Sequence, residues 1–90
     1  MANAIVTIRL MPRSPEEDLS TLEVDARAVI ERLGGVLGKT ERTPVAFGLI
    51  ALKLYIVIDE RKGTQVLETE LGALTGVSSA EVLDFRRAVG

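Results

Sequence analysis

Pro44-Val45-Ala46-Phe47-Gly48-Leu49-Ile50-Ala51-Leu52-Lys53-Leu54-Tyr55-Ile56-Val57-Ile58-Asp59-Glu60 joins a proline- and glycine-marked loop to the most strand-like run of the chain. From Leu49 to Ile58 the side chains alternate between two faces, the period of a β-strand. Ile50, Leu52, Leu54, Ile56 and Ile58 share one face, and Leu49, Ala51, Lys53, Tyr55 and Val57 the other. Because apolar residues populate both, this strand belongs in the middle of a sheet. The loop ahead of it carries an aromatic, Phe47, immediately before Gly48. Such a residue either plugs the end of the core or stands out as an anchor for a partner, and the residues alone leave both readings open.

Toward the N-terminus, Val36 to Arg42 is interrupted by Gly38 and carries Lys39, Glu41 and Arg42, the marks of an exposed edge strand guarded by charge. Leu19, Leu22, Ala26, Val29, Ile30 and Leu33 recur at three- and four-residue steps and form the apolar stripe of a helix, which Gly34-Gly35 ends. Ser14-Pro15-Glu16-Glu17 reads as its start, with Ser14 as cap, Pro15 in the first turn and Glu17 closing a capping box. Glu16, Glu17 and Asp18 then complement the helix dipole. From Ala4 to Met11 the even positions Ala4, Val6, Ile8 and Leu10 are apolar, while Thr7 and Arg9 lie on the other face, so a half-buried strand opens the chain. Beyond the central strand, Asp59 to Gly63 is a polar connection with Asp59 and Glu60 as solvated turn residues. Val66, Leu67, Leu71 and Leu74 mark a second helix, and Val77 to Phe85 a last strand.

The order strand, helix, strand, strand, helix, strand closes through two right-handed crossovers into a four-stranded antiparallel sheet with both helices on one face. This is the α+β, ferredoxin-like βαββαβ sandwich. Its second sheet face, holding Thr7, Arg9, Lys53 and Tyr55, is left to solvent, to another subunit or to a ligand.

A chain of 90 residues, 47% hydrophobic and 27% charged with a formal charge of -2, is expected to be one globular domain spanning residues 1–90. It has no Cys and no His, so disulfides, thiolate metal sites and the usual general base are absent, and no metal, cofactor or catalytic residue is expected. The glycines Gly34, Gly35 and Gly38 follow a helix and lack the Lys-Ser/Thr of a phosphate loop. Three aromatics and an acidic balance do not make a base-stacking platform, so direct nucleic-acid binding is not expected. The N-terminus enters a strand without a signal-peptide pattern, and no apolar run reaches membrane-span length, so a cytoplasmic location is the expectation.

The remaining feature is Arg86-Arg87, which follows the last strand near a chain end that nothing else restrains. Adjacent arginines there suit an acidic or phosphate-bearing partner, or are a solvated pair of end charges. Together, Ile5-Val6-Thr7-Ile8-Arg9-Leu10-Met11-Pro12, Ser14-Pro15, Pro44 through Val57, Gly76-Val77-Ser78, Val82 and Arg86-Arg87 make the chain resemble the archaeal elongation factor 1-beta family. The Phe47-Gly48 turn is the most specific part.

The resemblance covers nearly the whole chain. It implies a ferredoxin-like, non-enzymatic guanine-nucleotide exchange domain that promotes GDP-to-GTP exchange on elongation factor 1-alpha during translation. It also implies partner contacts at Phe47, Gly48, Arg86 and Arg87. In eukaryotic relatives a lysine that reaches the magnesium site of the GTPase stands where this chain has Arg87, and lysines stand at the positions of Ile50 and Ala51. A regulatory ligand-binding or dimerisation module using the open sheet face is the alternative.

Overall fold

The computed structural model describes residues 3–88. Met1-Ala2 and Val89-Gly90, which the sequence reading places at the entry to the first strand and beyond the arginine pair, lie outside the described residues. The elements follow the expected order: β1 (Asn3–Pro12), α1 (Leu19–Arg32), β2 (Val36–Pro44), β3 (Ile50–Asp59), α2 (Gln65–Gly72) and β4 (Val77–Arg87). The strands form one antiparallel sheet in the order β2-β3-β1-β4, with both helices on one face. This is the ferredoxin-like arrangement, with the strand apolar on both sides, β3, in the interior.

The core lies between the sheet and the helices. Val6, Ile8 and Leu10 of β1 and Leu52, Leu54 and Ile56 of β3 are fully buried, and they meet Leu22, Ala26 and Ile30 of α1 with Leu67 and Leu71 of α2. These are the residues that the alternation and the helical stripe place inward. Removing their apolar surface from water, at roughly 25 cal/mol per Å², is the main favourable contribution to folding.

The start of α1 departs from the sequence reading. The helix begins at Leu19, and the cap is Asp18, whose carboxylate accepts from the N–H groups of Ser20 at 2.9 Å and Thr21 at 3.3 Å. Ser14 instead sits in a preceding turn, where its carbonyl accepts from Glu17 N–H at 3.3 Å. Asp18 takes the cap because a short carboxylate in extended backbone reaches two of the unpaired amides at once. Those bonds hold its carboxyl below the usual carboxylate range, the Thr21 amide first. The other end is as read: Gly34 N–H meets Glu31 O at 3.0 Å and Gly35 N–H meets Ile30 O at 2.9 Å, the paired bonds of a Schellman motif.

Bulges in both edge strands set which way their residues face, one in β2 and two in β4, where Ser78 is extra between the pairs Met11↔Ser79 and Pro12↔Val77. In β2 the extra residue is Gly38, between the pairs Leu37↔Ile56 and Lys39↔Tyr55. The second extra residue in β4 is Leu83, because Ile8 pairs with Val82 while Thr7 pairs with Asp84. Beyond that bulge, odd-numbered residues of β4 share the helix side with Val6 and Ala4: Phe85 opposes Val6, and Arg87 opposes Ala4. Arg86, opposite Ile5, faces the open side.

Candidate partner-binding site

The β2–β3 hairpin closes through Ala46–Gly48, with Val45 N–H donating to Leu49 O at 2.9 Å and Leu49 N–H to Ala46 O at 3.2 Å. Two of the three loop residues adopt left-handed backbone. Gly48 has φ 74°, which costs a glycine little, but Phe47 has φ 61° and ψ 31°. For a bulky residue this conformation is uncommon and unfavourable by roughly 1–2 kcal/mol. The Phe47 side chain is also 93% exposed, so it does not plug the core. Among the described residues, the Phe47 ring makes no cation–π or other ring contact. The tip sits beside the turn after β1, where a Cβ on Gly48 would lie 3.9 Å from Pro15 Cγ.

At the other end of the sheet the arginine pair is not loose, contrary to its reading as an unrestrained tail. Both residues belong to β4, which runs beyond Phe85 because β1 offers partners as far as Asn3, whose carbonyl accepts from Ala88 N–H at 2.7 Å. Strand alternation sends the two side chains to opposite faces. Arg86 Nε donates to Asp84 at 2.8 Å on the open side. Arg87 Nε donates to Glu60 at 2.6 Å on the helix side, while most of the Arg87 side chain remains exposed.

Glu60, which the sequence presents as a solvated turn residue, is therefore part of this end of the molecule. It lies 27 positions from Arg87, and only the lateral pairing of β3, β1 and β4 brings them together. The turn holding it, Glu60–Lys62, is capped by Asp59, whose carboxylate takes the Arg61 amide at 2.9 Å and its guanidinium at 2.8 Å. Bonding to the Arg61 side chain and amide holds the Asp59 carboxyl down at about 2.

Phe47 and Arg87 are not brought together. The row through Ala4 and Arg87 is separated from the row through Leu10 and Leu52 by six residues of β1, roughly 20 Å at ~3.3 Å per residue, and Phe47 lies beyond the second row. They lie toward opposite ends of the sheet.

Between them, the open sheet face is largely occupied with itself. Thr7 is only 5% exposed. Tyr55 donates its hydroxyl to Glu41 at 2.8 Å beneath the ammonium groups of Lys39 and Lys53, which lie 5.2 and 5.6 Å from the ring centroid. The Tyr55 hydroxyl, then Lys39, lower the Glu41 carboxyl from its usual range. Arg9 donates to Glu81 at 2.7 Å. The face still carries a depression lined by Ile5, Thr7, Lys53, Tyr55, Leu83, Asp84 and Arg86, and a smaller one lined by Arg9, Thr43, Val45, Ala51, Lys53 and Leu83.

The α+β, ferredoxin-like sandwich thus carries an exposed aromatic at one end of its sheet and two arginines at the other. The model of the EF-1 guanine nucleotide exchange domain matches residues 5–88, and the chain belongs to that family. It is 40% identical over 88 residues to elongation factor 1-beta of Methanothermobacter thermautotrophicus, covering 97% of this chain and 98% of the relative. It is 40% identical over 83 residues to that of Thermococcus gammatolerans, covering 89% of each chain. With the protein of Methanococcoides burtonii the identity is 36% over 90 residues, or 99% of this chain and 100% of the relative. These relationships support a nucleotide-exchange role in translation elongation. Among the described residues, no helix is long and apolar enough to cross a membrane.

Proposed function

We propose that this chain promotes replacement of GDP by GTP on elongation factor 1-alpha without itself catalysing a covalent reaction, and that it works in the cytoplasm. Phe47 is the anchor at one end of the contact and Arg87 the charged group at the other. Gly48 supplies the turn that presents the ring, and Arg86 adds a second cation at the Arg87 end from the opposite face. The observation that carries this reading is Phe47 itself, an almost fully exposed ring held in unfavourable backbone at the tip of a closed hairpin. An aromatic set out in this way has the form of an interface anchor.

The chemistry follows from the two ends. An exchange factor must bind the nucleotide-free GTPase more tightly than the nucleotide-bound form, and a thousandfold preference corresponds to about 4 kcal/mol of coupling. The ring, seated in an apolar pocket, supplies affinity and fixes orientation. The guanidinium, brought against the region of the GTPase that holds magnesium and phosphate, competes for the same oxygens and weakens nucleotide retention. A rigid sheet between the two ends makes both contacts available from one docking event.

The test is release of a fluorescent GDP analogue from elongation factor 1-alpha, with catalytic amounts of this protein. Acceleration that falls with Phe47→Ala and with Arg87→Ala is the expected result. No acceleration by the unaltered protein would overturn the proposal and turn attention to the open sheet face as a ligand or dimer surface.

A further inference from the structure

We propose that Glu60 is a positioning residue for Arg87, holding the guanidinium by one edge so that its two terminal amino groups are presented to the partner. The inference rests on the reading of Arg87 as a partner contact. In the structure Arg87 uses Nε alone to reach the Glu60 carboxylate, at 2.6 Å, and among the described residues neither terminal amino group has a partner. These amino groups are the donors suited to paired oxygens on phosphate or carboxylate. Glu60 is a firm support, because its turn is closed by the Asp59 cap and its own side chain is only 27% exposed, against 73% for Arg87. The geometry of the sheet permits the reach. On the helix side Ile58, Ala4 and Arg87 form one row across β3, β1 and β4, and the central residue is the small one. A long side chain from the β4 edge can pass over Ala4 toward the turn that follows Ile58.

An arginine tethered in this way loses less rotamer freedom when it binds, which is worth roughly three- to tenfold in affinity for a single side chain. The tether leaves the terminal N–H donors on the exposed side, although the carboxylate offsets part of the delocalised charge.

The experiment is a double-mutant cycle on labelled-GDP release from elongation factor 1-alpha, using Glu60→Ala, Glu60→Gln, Arg87→Ala and the combined Glu60→Ala/Arg87→Ala. Glu60→Ala is expected to raise the concentration of this protein needed for half-maximal exchange three- to tenfold and to leave the thermal midpoint within about two degrees. Glu60→Gln, which keeps an acceptor at the same reach, is expected to recover part of that loss. In the Arg87→Ala background, Glu60→Ala is expected to change nothing further. An equal loss in both backgrounds would overturn the inference, because Glu60 would then act without Arg87. Unchanged or faster exchange with Glu60→Ala, while Arg87→Ala is impaired, would overturn it alone and leave the role of Arg87 standing. Full activity of Arg87→Ala would instead overturn the reading beneath it.

Discussion

Phe47 combines two features that stability alone does not favour, a left-handed backbone and an exposed aromatic ring. Replacing it separates folding from binding. Phe47→Ala keeps the unfavourable backbone and removes only the ring, so exchange is expected to fall roughly ten- to thirtyfold, the usual cost of truncating an aromatic anchor, with little change in stability. Phe47→Gly relieves the backbone, and after the entropy that glycine gains in the unfolded chain it should raise stability by about 0.5–1 kcal/mol. A denaturant midpoint that rises while nucleotide release slows would show a residue kept for its partner at the expense of the fold. Asp59 offers a second test at this scale. Its folded carboxyl is held at about 2, below its ordinary value near 4. Its contribution to stability is therefore complete above pH ~4 and disappears as the pH falls toward ~2. Asp59→Asn is expected to flatten that part of the acid-denaturation profile, as read from thermal midpoints between pH 2 and 5.

Among the elements, α2 depends most on a few contacts. It has eight residues, its Thr64 cap makes no side-chain hydrogen bond, and Leu67 and Leu71 are its fully buried side chains. So short a helix does not persist in water without packing. Leu67→Ala is expected to cost about 2–4 kcal/mol in urea unfolding and to loosen α2 before the sheet, as seen by faster amide exchange. The stripe that makes α1, the double-faced apolar run of β3 and the charged edge of β2 are all legible in the sequence, because each is a local pattern with a fixed period. The start of α1 is less so, since Ser14 and Asp18 both suit a cap and the choice between them depends on the turn that precedes the helix. The Phe47-Gly48 turn is visible as an oddity, but the direction of its ring is decided by backbone angles that spacing does not encode. The pairing of Arg87 with Glu60 has no local signature, because it is made by two strand pairings acting together.

Over the whole molecule, the separation of the two anchors has a measurable consequence. Groups more than about 7–10 Å apart with no common partner usually contribute independently. The Phe47→Ala/Arg87→Ala variant is therefore expected to lose exchange activity by the product of the single losses, in the same nucleotide-release assay. A smaller combined loss would mean that the GTPase closes on one end only after engaging the other. The Leu83 bulge in β4 bears on the same geometry. It works as a frameshift in three dimensions, leaving the amino-acid order intact while changing which side chains share a face. With Leu83 absorbed into regular pairing, Arg86 would stand opposite Ala4, and Arg87 would move to the open side. With Leu83 deleted, Thr7 would still meet Asp84, and Arg87 would keep its place. Deletion here is thus the conservative change and a straightened strand the disruptive one, so the parity of the strand, more than the count of residues from the chain end, decides which charge a partner meets.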